Sequence, residues 1–547
     1  MLAVDSCVRM DTLAPDMPKI TVDGKTIECK DRQMILQACV DAGMEVPHYC
    51  YHPGLSIVAS CRICLAEVEG VPKLVPTCQT PVRDGMVVHM ANSSKATANQ
   101  KQVMEYLLVN HPLDCPVCDQ AGECSLQDYS YQYGRSESRF EEAKHKKPKK
   151  DVGLNVLLYN DRCIMCTRCV RFTREVAGTS ELFVDGRGSK EEIEIFPGKP
   201  LNNKLSGNVV DLCPVGALLD KDFLFKQRVW FLKSAPSISP ADAGGENVWI
   251  HHNEGVVYRL KPRYNDQVNK WWISDDTRYS HKIVADDKRL FGAMRTQYGT
   301  QVDATYWDAV TQADTDLKKL HKESGDGSLA AILSPMLASE EAFLLGKYIR
   351  SIDPKAVLVL GPVPRAGDDD VFKHYLTKQE TFRIQAEKVP NKNGVVQVIE
   401  LLGGPTLEWS EFVAKPQAAI KGVWVTGGYH SNWTGLDVPA GLKKPYKVVQ
   451  DLLPSALTRS ADILLPSAAW VEKEGSWQNY SKLNQAFAAA FAPRDGAIAE
   501  GEVFAKLLGR SKYDAASVRT EMGDTFASIA IPTGTEADEP AMEFVEI

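Results

Sequence analysis

The sequence predicts a multidomain chain, α+β in its first part and α/β with a largely parallel sheet in its last. Three observations lead there. A chain of 547 residues exceeds what one hydrophobic core organises and should divide into several domains. All fourteen cysteines lie between Cys7 and Cys213, whereas all ten tryptophans lie between Trp230 and Trp477, so two differently built halves meet near residue 230. Beyond that point apolar strand-like runs alternate with helical ones, the pattern of βαβ units.

The first domain, residues 18–96, opens with Ile20 and Val22 alternating with polar neighbours before Asp23-Gly24 and Thr26-Ile27, a short hairpin on a two-residue turn. Ile35, Ala38, Cys39 and Ala42 recur at helical spacing between Arg32 and Ala42, with Gly43 placed to end the helix. Leu65 to Val68, Leu74-Val75 and Met86 to Val88 add short strands. In the second segment, 97–137, Val103, Met104, Leu107 and Leu108 stripe a helix that should stop near Asn110, because Pro112 disfavours helix in the residue before it. A third segment spans 138–229; the lysine run from Lys144 to Lys150 near its start reads as a solvated connection, or alternatively as a docking strip for an acidic neighbour. In the last domain, 230–547, Leu329 to Leu333, a helix from Glu340 to Ile349 and Val357 to Leu360 form a βαβ unit. Val423 to Thr426, Lys447 to Gln450 and Ile463 to Leu465 continue a buried parallel sheet. An acidic tail is expected from about residue 512, with Asp538, Glu539, Glu543 and Glu546.

Composition excludes several roles. A net charge of -8 offers no broad basic field for counterion release, which argues against nucleic acid as a partner. No run of about eighteen apolar residues is present, so no direct membrane insertion is expected. Met1 to Lys19 carries Asp5, Asp11 and Asp16 and no apolar h-region, against a secretory signal or an organelle presequence. In the reducing compartment this implies, close-set thiolates bind metal in preference to pairing as disulfides.

Three ligand sets stand out. Cys163, Cys166 and Cys169 form CxxCxxC, and Cys213 is followed by Pro214. Three thiolates on one tight loop with a distant Cys-Pro is the spacing of a 4Fe–4S cubane; the positions a second ferredoxin cluster would need are Asn203, Ser206 and Val209, so one cluster is expected here. Cys50, Cys61, Cys64 and Cys78, in a strand-rich module with one helix, resemble the loop that wraps a 2Fe–2S cluster in ferredoxin-type β-grasp domains. Cys115, Cys118 and Cys124 need a fourth ligand. His111, four residues before Cys115, is the candidate, with Asp114 and Asp119 as weaker alternatives; a neutral imidazole makes a cluster less negative and favours its reduction. Structural zinc is the rival for the two four-cysteine sets. Cys7, Cys29 and Cys39 are left over as buried or incidental thiols.

HPLDCPVCDQAGECSLQDYSYQYG (111–134), DRCIMCTRCVRF (161–172) and GNVVDLCPVGAL (207–218) resemble the large iron–sulfur subunits, of the G or 75 kDa type, of NADH:quinone oxidoreductase, respiratory complex I. The resemblance covers the first 230 residues closely and extends loosely to about residue 510. It implies an N-terminal 2Fe–2S β-grasp domain, a His-Cys 4Fe–4S segment, a single-cluster 4Fe–4S ferredoxin-like domain and a truncated molybdopterin-oxidoreductase-like α/β domain. Electrons would come from a flavin-bearing NADH-oxidising subunit to the 2Fe–2S cluster. They would pass through the Cys163 and His111 clusters to a ferredoxin-like two-cluster subunit, among other peripheral-arm neighbours, on the cytoplasmic face of a bacterial inner membrane.

Two departures from the family pattern matter. Some bacterial relatives hold an extra cubane through CxxCxxxC, where this chain has Ser239, Asp242 and Glu246, so that cluster is not expected. No cysteine follows Cys213 to ligate molybdenum, so no molybdenum cofactor is expected. The same missing cysteines weigh against an NAD-linked hydrogenase or a formate dehydrogenase. The remaining rival is a zinc-stabilised interaction protein without enzymatic activity.

Overall fold

The computed structural model describes residues 17–528. Its first module is a mixed sheet in the order Lys25–Glu28, Lys19–Val22, Val87–His89, Leu65–Val68, Val75–Pro76. The first and last long strands run parallel, Thr21 against Val87, and the helix Ile35–Asp41 covers one face, as in a β-grasp. The core is Ile20, Val22, Ile35, Leu36, Cys39, Ala66 and Val88. The helix begins three residues later than its periodicity suggests, because Met34 is extended and bridges Pro81. Of the thiols outside the ligand sets, Cys29 and Cys39 are buried in this core, and Cys7 lies outside the described residues.

The helix Ser94–Leu108 starts at Ser93, whose side chain accepts from the amide of Ala96, and is a full turn or more longer than its apolar stripe. Its C-terminus is closed from outside: Lys144 Nζ donates to the carbonyls of Leu108 (2.7 Å) and Val109 (3.1 Å). The lysine run is thus solvated only in part: His145, Lys146 and Lys149 are exposed, whereas Lys144, Lys147 and Lys150 are half-buried. Lys147 donates to the Glu191 carbonyl, Lys150 pairs with Glu192 and Glu194, and Lys149 lies over Tyr159, because these lysines sit within reach of an acceptor or a ring.

A second sheet consists of Leu218–Asp220, Val156–Tyr159 and Lys149–Asp151, and the helix Arg168–Glu175 packs on the strand Leu182–Asp185 and the helix Asn208–Leu212. One apolar core runs through all of this region: Tyr49, Met104, Leu126, Phe172 and Leu212 pack together with Cys50, Cys124, Cys166, Cys169 and Cys213. The segments that the sequence separates therefore share an interior.

Past residue 230 the chain first makes an antiparallel sheet, Lys233–Ile238, Asn247–Asn253, Val256–Pro262, before the parallel one. The large sheet has eight strands, ordered Thr300–Ala304, Ala293–Gln297, Ile463–Pro466, Tyr446–Asp451, Gly422–Thr426, Leu329–Leu333, Val357–Leu360, Thr406–Leu407. Strands from Ile463–Pro466 to Thr406–Leu407 are parallel and the two at the other edge antiparallel. Leu329–Leu333 and Gly422–Thr426 are buried at every position, as a strand covered on both faces must be. Ser339–Ile352 packs on this sheet, and Ala515–Met522 packs on that helix through Val518 and Met522. The tail therefore begins later than residue 512, because this stretch has an apolar face to bury; Asp538, Glu539, Glu543 and Glu546 lie outside the described residues.

A hairpin of the large domain, Asp370–Lys373 with Glu380–Ile384, reaches back onto the cysteine-bearing region. Phe382 and Ile384 join its core, Thr381 Oγ1 donates to the Val176 carbonyl at 2.6 Å, and Tyr375 N donates to the Arg174 carbonyl at 3.1 Å. Elsewhere, Arg289 and Glu472 form a forked pair at 2.9 and 2.7 Å, both side chains 1% exposed. Removing one partner of such a pair strands the other charge out of water. Glu472→Ala is expected to cost about 3–5 kcal/mol, read as a drop in the denaturant midpoint of the large domain.

Candidate metal centres

The first set sits on loops held by side chains from outside. Cys50 and Cys61 bring their sulfurs to 3.5 Å, and the thiols of Cys50 and Cys78, and of Cys64 and Cys78, are likewise hydrogen-bonding neighbours. Ala59 (φ 50°) and Arg62 (φ 61°) take the left-handed conformation on either side of Cys61, which costs on the order of 1–3 kcal/mol per residue and persists where surroundings over-determine the loop. Asn99 Nδ2 on the Arg62 carbonyl (2.8 Å) and Thr77 Oγ1 on the Cys64 carbonyl (2.9 Å) provide that restraint. The four thiols perturb each other in opposite directions. Hydrogen bonding from Cys61 lowers Cys50 and from Cys78 lowers Cys64, while the same contacts raise Cys61 and Cys78. Four thiols so close cannot all ionise without a polyvalent cation among them, so the donor set fits a metal centre.

Cys163, Cys166, Cys169 and Cys213 line one cavity whose other walls include Leu158, Ile164, Ile193, Val215 and Leu218. The CxxCxxC loop again winds through the left-handed region, at Met165 (φ 53°) and Thr167 (φ 59°), before entering the helix at Arg168. Burial pushes Cys163 up to about 12 and Cys213 up to about 11. Amide groups oppose this: Met165 N donates to Cys163 Sγ at 3.4 Å, and the amides of Val215, Leu218 and Ala217 face Cys213. Amide donors aimed at buried sulfur are the arrangement that stabilises an anionic cluster.

In the third set Cys118 and Cys124 are buried and Cys115 is exposed on the short helical turn Cys115–Val117. Burial raises Cys124 to about 12, and lowers His111 to about 4 with help from Arg162 and Lys144, so the imidazole is held neutral, its metal-binding form. Arg162 neighbours both His111 and Cys118, and its fork is engaged by Asp114 (Nη2–Oδ2 2.8 Å). Asp114 is therefore committed to an arginine, and Asp119 accepts from the Phe225 amide at 2.7 Å.

The sets meet at two seams. Arg171 Nη2 donates to the carbonyls of Cys50 (2.5 Å) and Cys166 (3.3 Å). On the other side of the Cys163 cavity, Gly216 lies so close to Cys118 that a Cβ there would sit 2.1 Å from its sulfur, and Cys124 Sγ is 3.9 Å from the Pro214 carbonyl. The ligand spacings alone assign no role to Arg162, Arg168 and Arg171; their alternation with cysteines is the one signal of them in the sequence.

Family models match the chain in sequence: a 2Fe-2S iron-sulfur cluster binding domain (residues 16–93), the NADH-ubiquinone oxidoreductase-G iron-sulfur binding region (100–139), the ferredoxin-like domain of NADH-quinone oxidoreductase subunit 3 (153–219), an NDSU1/NuoG-like 4Fe-4S domain (232–282) and a molybdopterin oxidoreductase domain (402–510). The NADH-ubiquinone oxidoreductase 75 kDa subunit of Reclinomonas americana is 39% identical over 356 residues, 65% of this chain and 51% of that one. The mitochondrial NADH-ubiquinone oxidoreductase 78 kDa subunit of Neurospora crassa is 38% identical over 69% of this chain and 50% of its own length. The iron–sulfur half of the chain belongs to the family of 75 kDa-type subunits of NADH-quinone oxidoreductases. The chain spans about half the length of these curated relatives. Among solved structures, an NAD+-reducing [NiFe]-hydrogenase in the H2-reduced state matches at 28% identity over 39% of this chain and 91% of that chain, with a TM-score of 0.35.

Unlike the 75 kDa-type pattern at its fullest, the matched 4Fe-4S region at 232–282 contains no cysteine. Ser239, Asp242 and Glu246 do come together: the Ser239 amide donates to the Glu246 carbonyl at 2.8 Å, and the two carboxylates are close enough for Asp242 to raise the proton affinity of Glu246. They present oxygen where a cubane needs sulfur. The molybdopterin-like domain is likewise not a cofactor site. At the crevice between Leu329–Leu333 and Gly422–Thr426, where the strand order reverses and a ligand would enter, Asp451 fills the space over Gly427 and accepts from Trp433 Nε1 at 2.9 Å. Tyr429 is tied to the Pro362 carbonyl at 2.7 Å.

Gly216→Ala is expected to destabilise by about 1–3 kcal/mol through overpacking and to remove or distort the electron paramagnetic resonance (EPR) signal of the His111 set while sparing the other two. Burial raises Asp242 and Glu246 above their unfolded values, so the folded chain holds protons that the unfolded chain releases. Their contribution to stability is full below the ordinary carboxylate range and is lost as pH rises through the elevated folded values. Melting temperature should therefore fall between roughly pH 5 and pH 8 more steeply in the parent than in Glu246→Gln, measured in matched buffers.

Proposed function

We propose that the chain is an electron-relay subunit of an NADH:quinone oxidoreductase of the proton-pumping complex I type. Cys50, Cys61, Cys64 and Cys78 hold a 2Fe–2S centre. His111, Cys115, Cys118 and Cys124 hold one 4Fe–4S centre, and Cys163, Cys166, Cys169 and Cys213 another. Such centres, when bound, supply one-electron exchange. The chain's own residues exclude water with the shared apolar core, aim amides at sulfur and keep the His111 imidazole neutral. The observation that carries the reading is the continuity of the sets: Arg171 joins the first to the second, and Gly216 seats the second on Cys118 of the third.

On this reading electrons arrive from a flavin-bearing NADH-oxidising subunit at the Cys50 set and leave from the His111 set to a ferredoxin-like two-cluster subunit, on the way to quinone. The chain sits at the cytoplasmic face of a bacterial inner membrane, held there by its neighbours. Among the described residues no helix is long and apolar enough to cross a membrane.

EPR of the anaerobically reduced protein should show one binuclear and two tetranuclear centres; material that binds zinc and no iron would overturn the relay. His111→Cys replaces a neutral ligand by a thiolate, and a redox titration should find that one tetranuclear centre alone becomes harder to reduce.

A further inference from the structure

Arg168 and Arg171 lie on the helix Arg168–Glu175, which begins inside the CxxCxxC motif, and both are buried, 7% and 8% exposed. Neither makes an ion pair with a carboxylate among the described residues. Glu175, one turn beyond Arg171, spends its two oxygens on the amide (2.8 Å) and hydroxyl (2.5 Å) of Ser56. The guanidinium of Arg171 is instead ringed by carbonyls: Ser56 (2.5 Å) and Cys50 (2.5 Å) from the first ligand loop, and Cys166 (3.3 Å) from the second. Arg168 does the same one turn away, with the carbonyls of Tyr51 and Leu212, the residues next to Cys50 and Cys213.

Two desolvated cations without a carboxylate at ion-pair distance cost several kcal/mol each. They persist because negative charge lies around them: Cys166 and Cys50, with Glu175 after them, favour the charged form of Arg171. A four-thiolate iron–sulfur centre is anionic and becomes more so when reduced, so a fixed buried cation favours the reduced form.

Resting on the relay reading above, we propose that Arg171, seconded by Arg168, is a shared positioning residue for the two centres at Cys50 and Cys163. It clamps their ligand loops together and holds both reduction potentials up with one charge. The step it serves moves one electron, oxidising the first centre as the second is reduced; no bond forms and no proton is transferred. Sharing the charge keeps the two potentials in step, so a change at Arg171 moves both and leaves the third, whose arginine is Arg162, in place.

The test is an EPR redox titration of the anaerobically purified full-length holoprotein, in the parent, Arg171→Met and Arg171→Lys. In Arg171→Met both centres should become harder to reduce by about tenfold or more in the one-electron equilibrium, about 59 mV, with the His111 centre unmoved as internal control. Arg171→Lys retains the charge without the fork, and should recover most of the potential while broadening both signals as the loops loosen. Unchanged potentials in Arg171→Met would overturn the proposal and leave the relay standing. So would a uniform fall at all three centres, or a loss in the lysine variant as large as in methionine. If Arg171→Met assembles no centres, the lysine variant alone decides by the same criterion. A parent without iron–sulfur signals would instead overturn the relay itself.

Discussion

Negative charge on sulfur, carried into an apolar interior, is the constraint on which this structure turns. Thiols of all three sets are embedded in or against one hydrophobic core, where burial alone would keep them protonated and neutral. Everything conspicuous about the first 230 residues answers that problem. Loops wind through left-handed positions around Cys61 and Cys166, amides face Cys213, and arginines enter the core where a soluble domain would place leucine. The strain at Met165 and Thr167 and the desolvation of Arg168 and Arg171 are costs that make sense only with polyvalent metal and thiolate between them.

Much of this is legible in the sequence because ligand chemistry is local. CxxCxxC, Cys-Pro and His-x3-Cys are spacings of a few residues, and the hairpin at Asp23-Gly24 and the strand-helix-strand unit from Leu329 to Leu360 are set by local periodicity. What cannot be read there depends on long-range partners. The hairpin Asp370–Ile384 alternates weakly and acquires its burial from the helix Arg168–Glu175, some two hundred residues away. The lysine run reads as solvated because its acceptors, the carbonyls of Leu108, Val109 and Glu191, are exposed only by how helices and loops end in space. Arg171 is invisible for the same reason: a charged residue beside a cysteine is ordinarily a surface residue, and only the fold brings Cys50 to it.

The large domain is explicable as a brace. Its switch-point crevice is filled by Asp451 and Trp433, and the connection between the first two strands of its antiparallel sheet carries the oxygens of Ser239, Asp242 and Glu246. What it contributes is contact. The hairpin supplies Phe382 and Ile384 to the cluster-bearing core, Asp275 accepts from Ser206 Oγ (2.5 Å) and the Gly207 amide (2.8 Å), and Arg259 forks onto Glu123 beside Cys124. Each of these last two contacts fixes a segment that leads directly into a ligand: Gly207 to Cys213, Glu123 to Cys124. A protein that relays single electrons gains from rigidity at such points, since small displacements of a ligand loop change both separation and solvent access.

On the proposed reading, a histidine at the third set answers the same charge problem. At the seam between the Cys50 and Cys163 sets, two arginines form no ion pair with a carboxylate among the described residues, and their charge is available to sulfur. At the third set Arg162 is engaged by Asp114, Lys144 is turned to helix carbonyls, and Arg228 donates to the carbonyls of Cys118 (2.8 Å) and Pro116. Cys115 is exposed there, so water screens part of the charge, and Arg162 favours the Cys118 thiolate. Replacing a fourth thiolate by an imidazole that burial keeps neutral lowers the anionic charge at the source. On the proposed reading, cations serve both seams, and a neutral ligand at the third adds a second answer to the same electrostatic requirement.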